Sequence, residues 1–416
     1  MEKGKFGNGL SFDGTNDYVT ASDSDNLDLV GSFTLSLWVK SNRSPGASGD
    51  ALISKLTPTT YNGWAFRIEP NGKLGMYLKT WVYGDKVILD NAWHYVSFVY
   101  NGDGTGQFYV DGVKDGSTQS GLTTPTATTQ TFYMGLESWN TSEYPTYGLM
   151  DQIRIYNYAR TPAQVAWEYN RGAPVAYYKM DECTGTTIND WGPNANGGYN
   201  GNTGTLTIGA SGSQTSAGTC STSGAWYNGA IGKRGSSINF DGTSDQITVT
   251  DNDLLDFGSN QDFTMMMWVN TTQPSVVDQY PILITKNPGG GSPTGYELNL
   301  HLSTDESRWT GAIAVAGTWY DVPGKTDISD GNWHHIVLRR SGNQLSTYED
   351  GKLANTVTAV TTSIANSTNF KIGYTGFGDP DNYWYAGKID EVKIYNYALT
   401  PAQIKTEMAG GAVRFE

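Results

Sequence analysis

The stretch Asp151-Gln152-Ile153-Arg154-Ile155-Tyr156-Asn157-Tyr158-Ala159-Arg160-Thr161-Pro162-Ala163-Gln164-Val165 returns, with few changes, as Asp390-Glu391-Val392-Lys393-Ile394-Tyr395-Asn396-Tyr397-Ala398-Leu399-Thr400-Pro401-Ala402-Gln403-Ile404. Its first half alternates in the manner of a strand. Its second half reads as an N-cap, Pro at the first helical position and a short helix. Working outward, further pairs follow in the same order. Leu10-Ser11-Phe12-Asp13-Gly14-Thr15-Asn16-Asp17 matches Ile238-Asn239-Phe240-Asp241-Gly242-Thr243-Ser244-Asp245, and Phe33-Thr34 to Trp38-Val39 matches Phe263-Thr264 to Trp268-Val269. Trp93-His94-Tyr95-Val96 matches Trp333-His334-His335-Ile336, and Tyr109-Val110-Asp111-Gly112 matches Tyr348-Glu349-Asp350-Gly351. A collinear series of this kind is a tandem duplication whose differences are loop insertions.

Within a copy, Phe33, Leu35, Leu37 and Val39 fall on one face of a strand, with Thr34 and Ser36 on the other. Tyr95–Tyr100 reads as a central strand, and Gln107–Gly112 as a hairpin arm closing on Asp-Gly, a pair that tolerates positive φ. Many strands, one small helix per copy and no βαβ rhythm predict an all-β chain of two tandem sandwiches. The composition agrees: 51 Gly, 12% aromatic and only 16% charged among 416 residues, a length suited to two domains. The net charge of −14 argues against nucleic acid or an anionic membrane, which need a cationic face. No apolar run reaches the roughly 18 residues of a membrane-spanning helix. No signal-peptide core follows Met1, so the reading is an export signal removed or a piece of a longer chain. Cys183 and Cys220, in one Gly/Thr/Ser-rich region without a nearby His, are expected to form a disulfide, which implies an oxidising, extracytoplasmic setting.

The Phe-Asp-Gly-Thr-x-Asp motif, the Phe-Thr…Trp-Val strand, Trp-His-x-Val/Ile, the Asp-Gly hairpin and the closing Asp-x-Ile/Val-x-Ile-Tyr-Asn-Tyr-Ala together resemble the bacterial laminin-G-like (concanavalin-A-like) jelly-roll domains. The resemblance covers most of the chain, twice. It implies domains at 1–171 and 172–411, each a jelly roll with a short helix near its C-terminal end. It also implies a functional range of glycan binding, adhesion and cell-surface stalks. The second copy has Pro174–Glu182, which resembles the family's opening strand; the first copy has nothing equivalent. The chain nevertheless ends Gly410-Gly411-Ala412-Val413-Arg414-Phe415-Glu416, similar to Gly172-Ala173-Pro174-Val175 onward. Two readings follow: a cut from a longer repeat array, or a strand at 412–416 that completes the first domain of the next molecule.

In such jelly rolls a structural calcium often bridges the opening and closing strands, which implies Asp181 or Glu182 with Asp390 in the second domain. Asp151 would serve the first, with Glu416 of a donated strand as its partner. A second acidic set, Asp23, Asp25 and Asp28, repeats as Asp251, Asp253 and Asp256. Sugar recognition needs exposed aromatics beside polar groups. The loop-placed candidates are Trp81, Tyr83, Trp139 and Tyr144 in the first copy, and Trp309, Trp319, Tyr383 and Trp384 in the second. Trp38, Trp268, Trp93 and Trp333, repeated in both, read as packing residues. The Glu-x-Asp-x-x-Glu triplet of laminarinase-like relatives is missing, and the repeated His94 and His334 read as structural. The sequence reading is therefore a non-catalytic extracellular protein that binds carbohydrate or a cell-surface glycoprotein. Its rival is a structural stalk or filament subunit joined head-to-tail through the C-terminal strand.

Overall fold

The computed structural model describes residues 2–41, 43, 49–139, 144–192, 201–210, 212–221, 224–226, 231–273, 280–290, 292–303, 306–374 and 383–410. One module ends at Gly172 and the second begins at Ala173. In the first, a seven-stranded antiparallel sheet runs in the order Glu2–Lys3, Asn8–Asp13, Tyr147–Tyr156, Phe33–Lys40, His94–Tyr100, Gly106–Val110, Val113–Gln119. The facing six-stranded sheet runs Val19–Ala21, Phe132–Met134, Asp50–Leu56, Gly63–Ile68, Leu74–Tyr77, Trp81–Tyr83.

The second module repeats this plan. Ala176–Tyr178, Ala386–Tyr395, Phe263–Asn270, Trp333–Ser341, Gln344–Glu349 and Lys352–Thr358 form one sheet, with Ile238–Asp241 also on Ala386–Tyr395. Its partner sheet has eight strands: Thr187–Ile188, Gly204–Thr207, Gln246–Val249, Phe370–Ile372, Ile282–Lys286, Gly295–Ser303, Glu306–Val315 and Thr318–Pro323.

Alternation builds the core. Phe33, Leu35, Leu37 and Val39 meet Trp64, Phe66 and Ile68 of the other sheet between the layers. Each such side chain, fully buried, contributes roughly 1.5–3 kcal/mol of transfer free energy. The opposite face of the Phe33–Lys40 strand is buried as well. The helix Pro162–Asn170 belongs to a second, smaller cluster there, in which Val165 packs with Trp38, Tyr95 and Tyr109. Thr34 Oγ1 donates to the Tyr158 carbonyl beneath it (3.0 Å). Both closing helices carry the capping box expected from Thr-Pro-Ala-Gln: the Thr161 and Thr400 hydroxyls accept from the Gln164 and Gln403 amides.

Two local devices recur. Asp111-Gly112 and Asp350-Gly351 all have positive φ (53°, 77°, 47° and 75°), the hairpin geometry that matches strand twist. Each Asp also holds the neighbouring histidine. His94 Nδ1 lies 2.8 Å from Asp111 and its Nε2 3.1 Å from Asp90; His334 sits 3.0 Å from Asp350 and 3.1 Å from Asp330. Hydrogen bonding to Asp350, then to Asp330, raises the His334 pKa to about 9 against the opposing effect of burial. A group raised in the folded state stabilises fully below its unfolded value and loses that contribution as pH rises through the folded one. The second module is therefore expected to melt progressively lower between pH 6.5 and 9. His334→Gln should flatten that slope in pH-dependent calorimetry.

The second acidic set is ion-paired with lysine in both modules. Asp23 and Asp28 surround Lys55, whose side chain is 1% exposed, with Asp23 Oδ1 2.8 Å from Nζ. Asp251 and Asp256 surround the fully buried Lys286 at 2.7 and 2.6 Å. The residue that neutralises these carboxylates is a lysine two strands away in the same sheet, supplied twice by the duplication. Asp25 and Asp253 each lie in the first turn of a short 3-10 helix.

Cys183 and Cys220 form the disulfide (Cα–Cα 4.9 Å), closing a span of 37 residues in the second module beside a Thr184–Thr219 bridge. On the chain-entropy account a loop of this length contributes about 3–4 kcal/mol.

Candidate functional site

On Gly63–Ile68, Trp64, Phe66 and Ile68 point into the core, so Arg67 points to the outer face of the six-stranded sheet. The same parity puts Gly75 and Tyr77 outward from Leu74–Tyr77, and Trp81 and Tyr83 outward from the edge strand. The register aligns Arg67 with Gly75 and Gly75 with Tyr83, and aligns Tyr77 with Trp81. A Cβ at Gly75 would lie 2.2 Å from Glu69 Oε1, so any side chain there would displace that carboxylate. Without one, Glu69 pairs with Arg67 through two hydrogen bonds of 2.7 and 3.0 Å.

Arg67 organises the face. Its guanidinium lies 3.7 Å from the Trp81 ring and 4.4 Å from the Tyr144 ring, and donates to Glu137 at 3.2 Å. Trp139 Nε1 donates to the other Glu137 oxygen, and Tyr61 meets the Trp139 ring edge-on at 5.9 Å. Tyr77 packs on Trp81 at 5.2 Å. Burial raises the Glu137 pKa, with Arg67 opposing, and burial followed by the Glu69 charge raises that of Tyr83. Trp81, Tyr83, Trp139 and Tyr144 thus come from separate segments to one surface, where Tyr83 and Tyr61 are 46% and 44% exposed. Sequence reading named these four and missed Arg67, Glu69, Glu137, Tyr61 and Tyr77. Alternation in Trp64-Ala65-Phe66-Arg67 was the available signal, since it turns Arg67 outward.

The corresponding candidates in the second module do not converge in this way. Trp309 is a core residue, 0% exposed, with Nε1 donating 2.7 Å to Glu349. This overturns its reading as a ligand contact: parity on Glu306–Val315 turns it inward with Ile313. Trp319 is exposed on the edge strand. Tyr383 stacks with Tyr280 at 6.1 Å, while Trp384 lies flat on Tyr374 at 3.7 Å and 7°. Tyr383 does occupy the place of Tyr144, since Ile282 and Ala51 donate equivalent hydrogen bonds to their carbonyls. By register, however, Asn299, Ala312 and Asp321 stand where the first module has Arg67, Tyr77 and Trp81. Glu297, opposite Ala312, is pushed up to about 7 by burial and accepts from Asn299 (2.7 Å). The same sheet face is aromatic and cationic in one copy, and carboxylate and amide in the other.

Another candidate set lies at the closing strands. Each carries a bulge, with Gln152 and Glu391 at φ 50° and 53°, that turns the preceding Asp onto a Gly-Lys-x-Gly turn. Asp151 Oδ2 accepts from the Phe6 amide at 2.7 Å and Asp390 Oδ2 from the Arg234 amide at 2.9 Å. Asp181 accepts from Ser236 at the end of the second turn (2.8 Å), and Glu182 from Asn189 (2.9 Å). Asp390 Oδ1 is buried and accepts no hydrogen bond from the described residues. Burial, then the neighbouring Glu391 and Asp181 charges, raise its pKa to about 8. Among the described residues no three acidic, His or Cys groups gather into a metal cluster, and Glu416 lies outside them.

A family model described as the concanavalin A-like lectin/glucanases superfamily matches residues 13–166 and again 241–405. The chain belongs to this superfamily. Its two matches are tandem laminin-G-like modules, in keeping with the duplicated plan above. No curated protein matches the chain in sequence. Among solved structures, it is similar to the binding domain of Paraclostridial Mosquitocidal Protein 1, at 15% identity over 57% of this chain, with a TM-score of 0.42. The match spans about half (52%) of that protein's chain. Domain 4 of AbnA, an extracellular arabinanase from Geobacillus stearothermophilus solved with arabinotriose, is 23% identical over 57% of this chain and 98% of its own, with a TM-score of 0.38. Mouse laminin alpha1 domains LG4-5 are 11% identical over 94% of this chain and 90% of theirs, with a TM-score of 0.29.

Proposed function

We propose that the first module is a non-catalytic glycan-binding domain whose contact surface is the Arg67 face. The observation that carries this reading is the convergence of Trp81, Tyr83, Trp139 and Tyr144 around one buried arginine. Arg67 serves as the scaffold: two carboxylates and two rings hold it, which fixes the aromatic planes before any ligand arrives. Its charge is more than balanced by Glu69 and Glu137, so the face favours neutral sugars over anionic ones. Pyranose or furanose CH faces would stack on the exposed ring surfaces, and the ring-edge hydroxyl of Tyr83 would serve sugar hydroxyls. The superfamily holds both lectins and glucanases; the non-catalytic reading rests on the salt-bridged state of the acidic groups on this face, which leaves neither Glu69 nor Glu137 placed as a free acid or base. The disulfide supports an extracellular setting. No helix among the described residues is long and apolar enough to cross a membrane.

A glycan array with the whole chain is the test. Binding to neutral polysaccharide is expected, and silence across the array would remove the reading. Soluble sugar released from a polysaccharide panel would instead make the protein a hydrolase.

Calcium enters the same proposal as a structural group of the second module. Asp390, with its buried unpartnered oxygen, and Asp181 on the same turn are the residues that would hold it, aided by loop carbonyls. Bound there, the ion would neutralise a buried carboxylate and tie the segment after Tyr178 to the closing strand. Millimolar calcium is expected to raise the melting temperature of the second module, and Asp390→Asn to abolish that rise. An unchanged melting curve on adding calcium would remove the ion from this account.

A further inference from the structure

The first module carries a second recess, on the outer face of its seven-stranded sheet and so on the far side of the sandwich from the Arg67 face. Parity places its side chains. Phe12, Val39 and Met150 point into the core, so Ser11, Asp13, Lys40, Tyr147 and Leu149 point outward from three neighbouring strands. The register sets Ser11, Leu149 and Lys40 side by side in one row and pairs Asp13 with Tyr147 beyond it. Asn91 closes the end of the row, its backbone amide donating 3.1 Å to the Ser41 carbonyl just past Lys40. The recess encloses about 350 Å³, within the roughly 300–1,000 Å³ of small-ligand sites.

These polar groups are not spent on one another. Asp13 Oδ1 accepts from the Thr15 amide at 2.8 Å, which closes its own turn, and no group among the described residues donates to its Oδ2. Among the same residues Lys40 has no ion pair, and the Asn91 side chain and the Tyr147 hydroxyl make no hydrogen bond. The Tyr147 ring, by contrast, is anchored. The Arg43 guanidinium lies 5.8 Å from its centre, and a Cβ at Gly14 would stand only 3.1 Å from the ring. Arg43 is itself fixed and neutralised by Asp50 at 2.7 Å. Tyr147 is nevertheless 42% exposed, a held ring that faces solvent.

We infer that this recess is a second sugar site of the first module, one that takes a single neutral pentose or hexose unit. A sugar ring is apolar on its CH face and polar around its edge. Tyr147 and Leu149 supply the apolar surface; Asp13 accepts from hydroxyls, the Lys40 ammonium donates to them, and the Asn91 carboxamide does both. One carboxylate and one ammonium cancel, so the lining has no net charge to draw in a phosphate or a metal cation. The duplication isolates the features that matter. At the equivalent positions the second module has Ala386 for Tyr147, Asn270 for Lys40 and Gly331 for Asn91, and Asn270 spends its amide on the Gly331 carbonyl. The held ring and the free polar groups are therefore features of the first copy. The inference stands whether or not the Arg67 face binds glycan, because the two surfaces belong to different sheets.

Saturation-transfer NMR on the full chain carrying Trp81→Ala reads this recess apart from the Arg67 face, with free glucose, galactose, mannose, xylose, arabinose and glucuronate as probes. At least one neutral sugar is expected to bind, and Tyr147→Ala and Lys40→Asn are each expected to weaken it about tenfold. Both changes install the residue that the second module carries at the same place, so the melting curve of the first module should hold. Should Tyr147→Ala lower it, Lys40→Asn decides alone. Silence from every neutral sugar overturns the inference. So does binding that Lys40→Asn leaves within twofold, which would put the sugar elsewhere, or a preference for glucuronate, which would make the recess an anion site. Failure here with the array signal intact leaves the Arg67 reading standing, and binding here with a silent array removes only that reading.

Discussion

Trp81→Ala is expected to weaken binding to the best neutral glycan by about thirtyfold while leaving the melting curve of the first module in place. Tryptophan at the centre of a contact surface commonly carries about 2 kcal/mol or more, and each 1.4 kcal/mol is a factor of ten. The fold tolerates the change because Trp81 lies half-buried on an edge strand and faces away from the core. It contacts Arg67 and Tyr77 only on the outer surface. Isothermal titration with the array hit, paired with calorimetry of the unliganded variant, separates lost stacking from lost structure. Tyr383→Ala, the positional counterpart of Tyr144 on a face that lacks the arginine, should leave the affinity within twofold. Equal losses in both variants would move the binding site off the Arg67 face.

Lys286→Met is expected to lower the melting temperature of the second module by roughly 6–20 °C. The lysine is fully buried, and it is the cation between Asp251 and Asp256. Removing one partner of a buried ion pair costs about 3–5 kcal/mol, because the remaining charges stay desolvated. For a domain of this size each kcal/mol moves the midpoint by about 2–4 °C. Adding Asp256→Leu to Lys286→Met should recover part of the loss, since only the more exposed Asp251 is then left without its cation. A shift below about 2 °C in the single variant would mean that another cation holds these acids, and would return them to candidacy as a metal site.

Much of the architecture was readable from local chemistry. The Thr-Pro-Ala-Gln caps, the Asp-Gly turns and the Phe33–Val39 alternation each act within a few residues, and each is where the sequence placed it. The duplication then made every such signal count twice. The partners of the acidic sets were not legible, because carboxylate spacing alone does not say what stands opposite. Lys55 and Lys286 lie 27 and 30 residues from the Asp28 and Asp256 that they neutralise. Trp309 misled for a related reason: its neighbours in sequence are polar, and only the strand register turns it inward.

The tandem sandwich, the closing helices and the cysteine pairing are thus properties of the sequence by itself, because periodicity, caps and turns are short-range and the copy provides its own control. The Arg67 face and the lysine-centred carboxylates were decided by tertiary structure alone. Each depends on which strand lies beside which and in what register, and a one-residue slip would send every one of these side chains to the other side of its sheet.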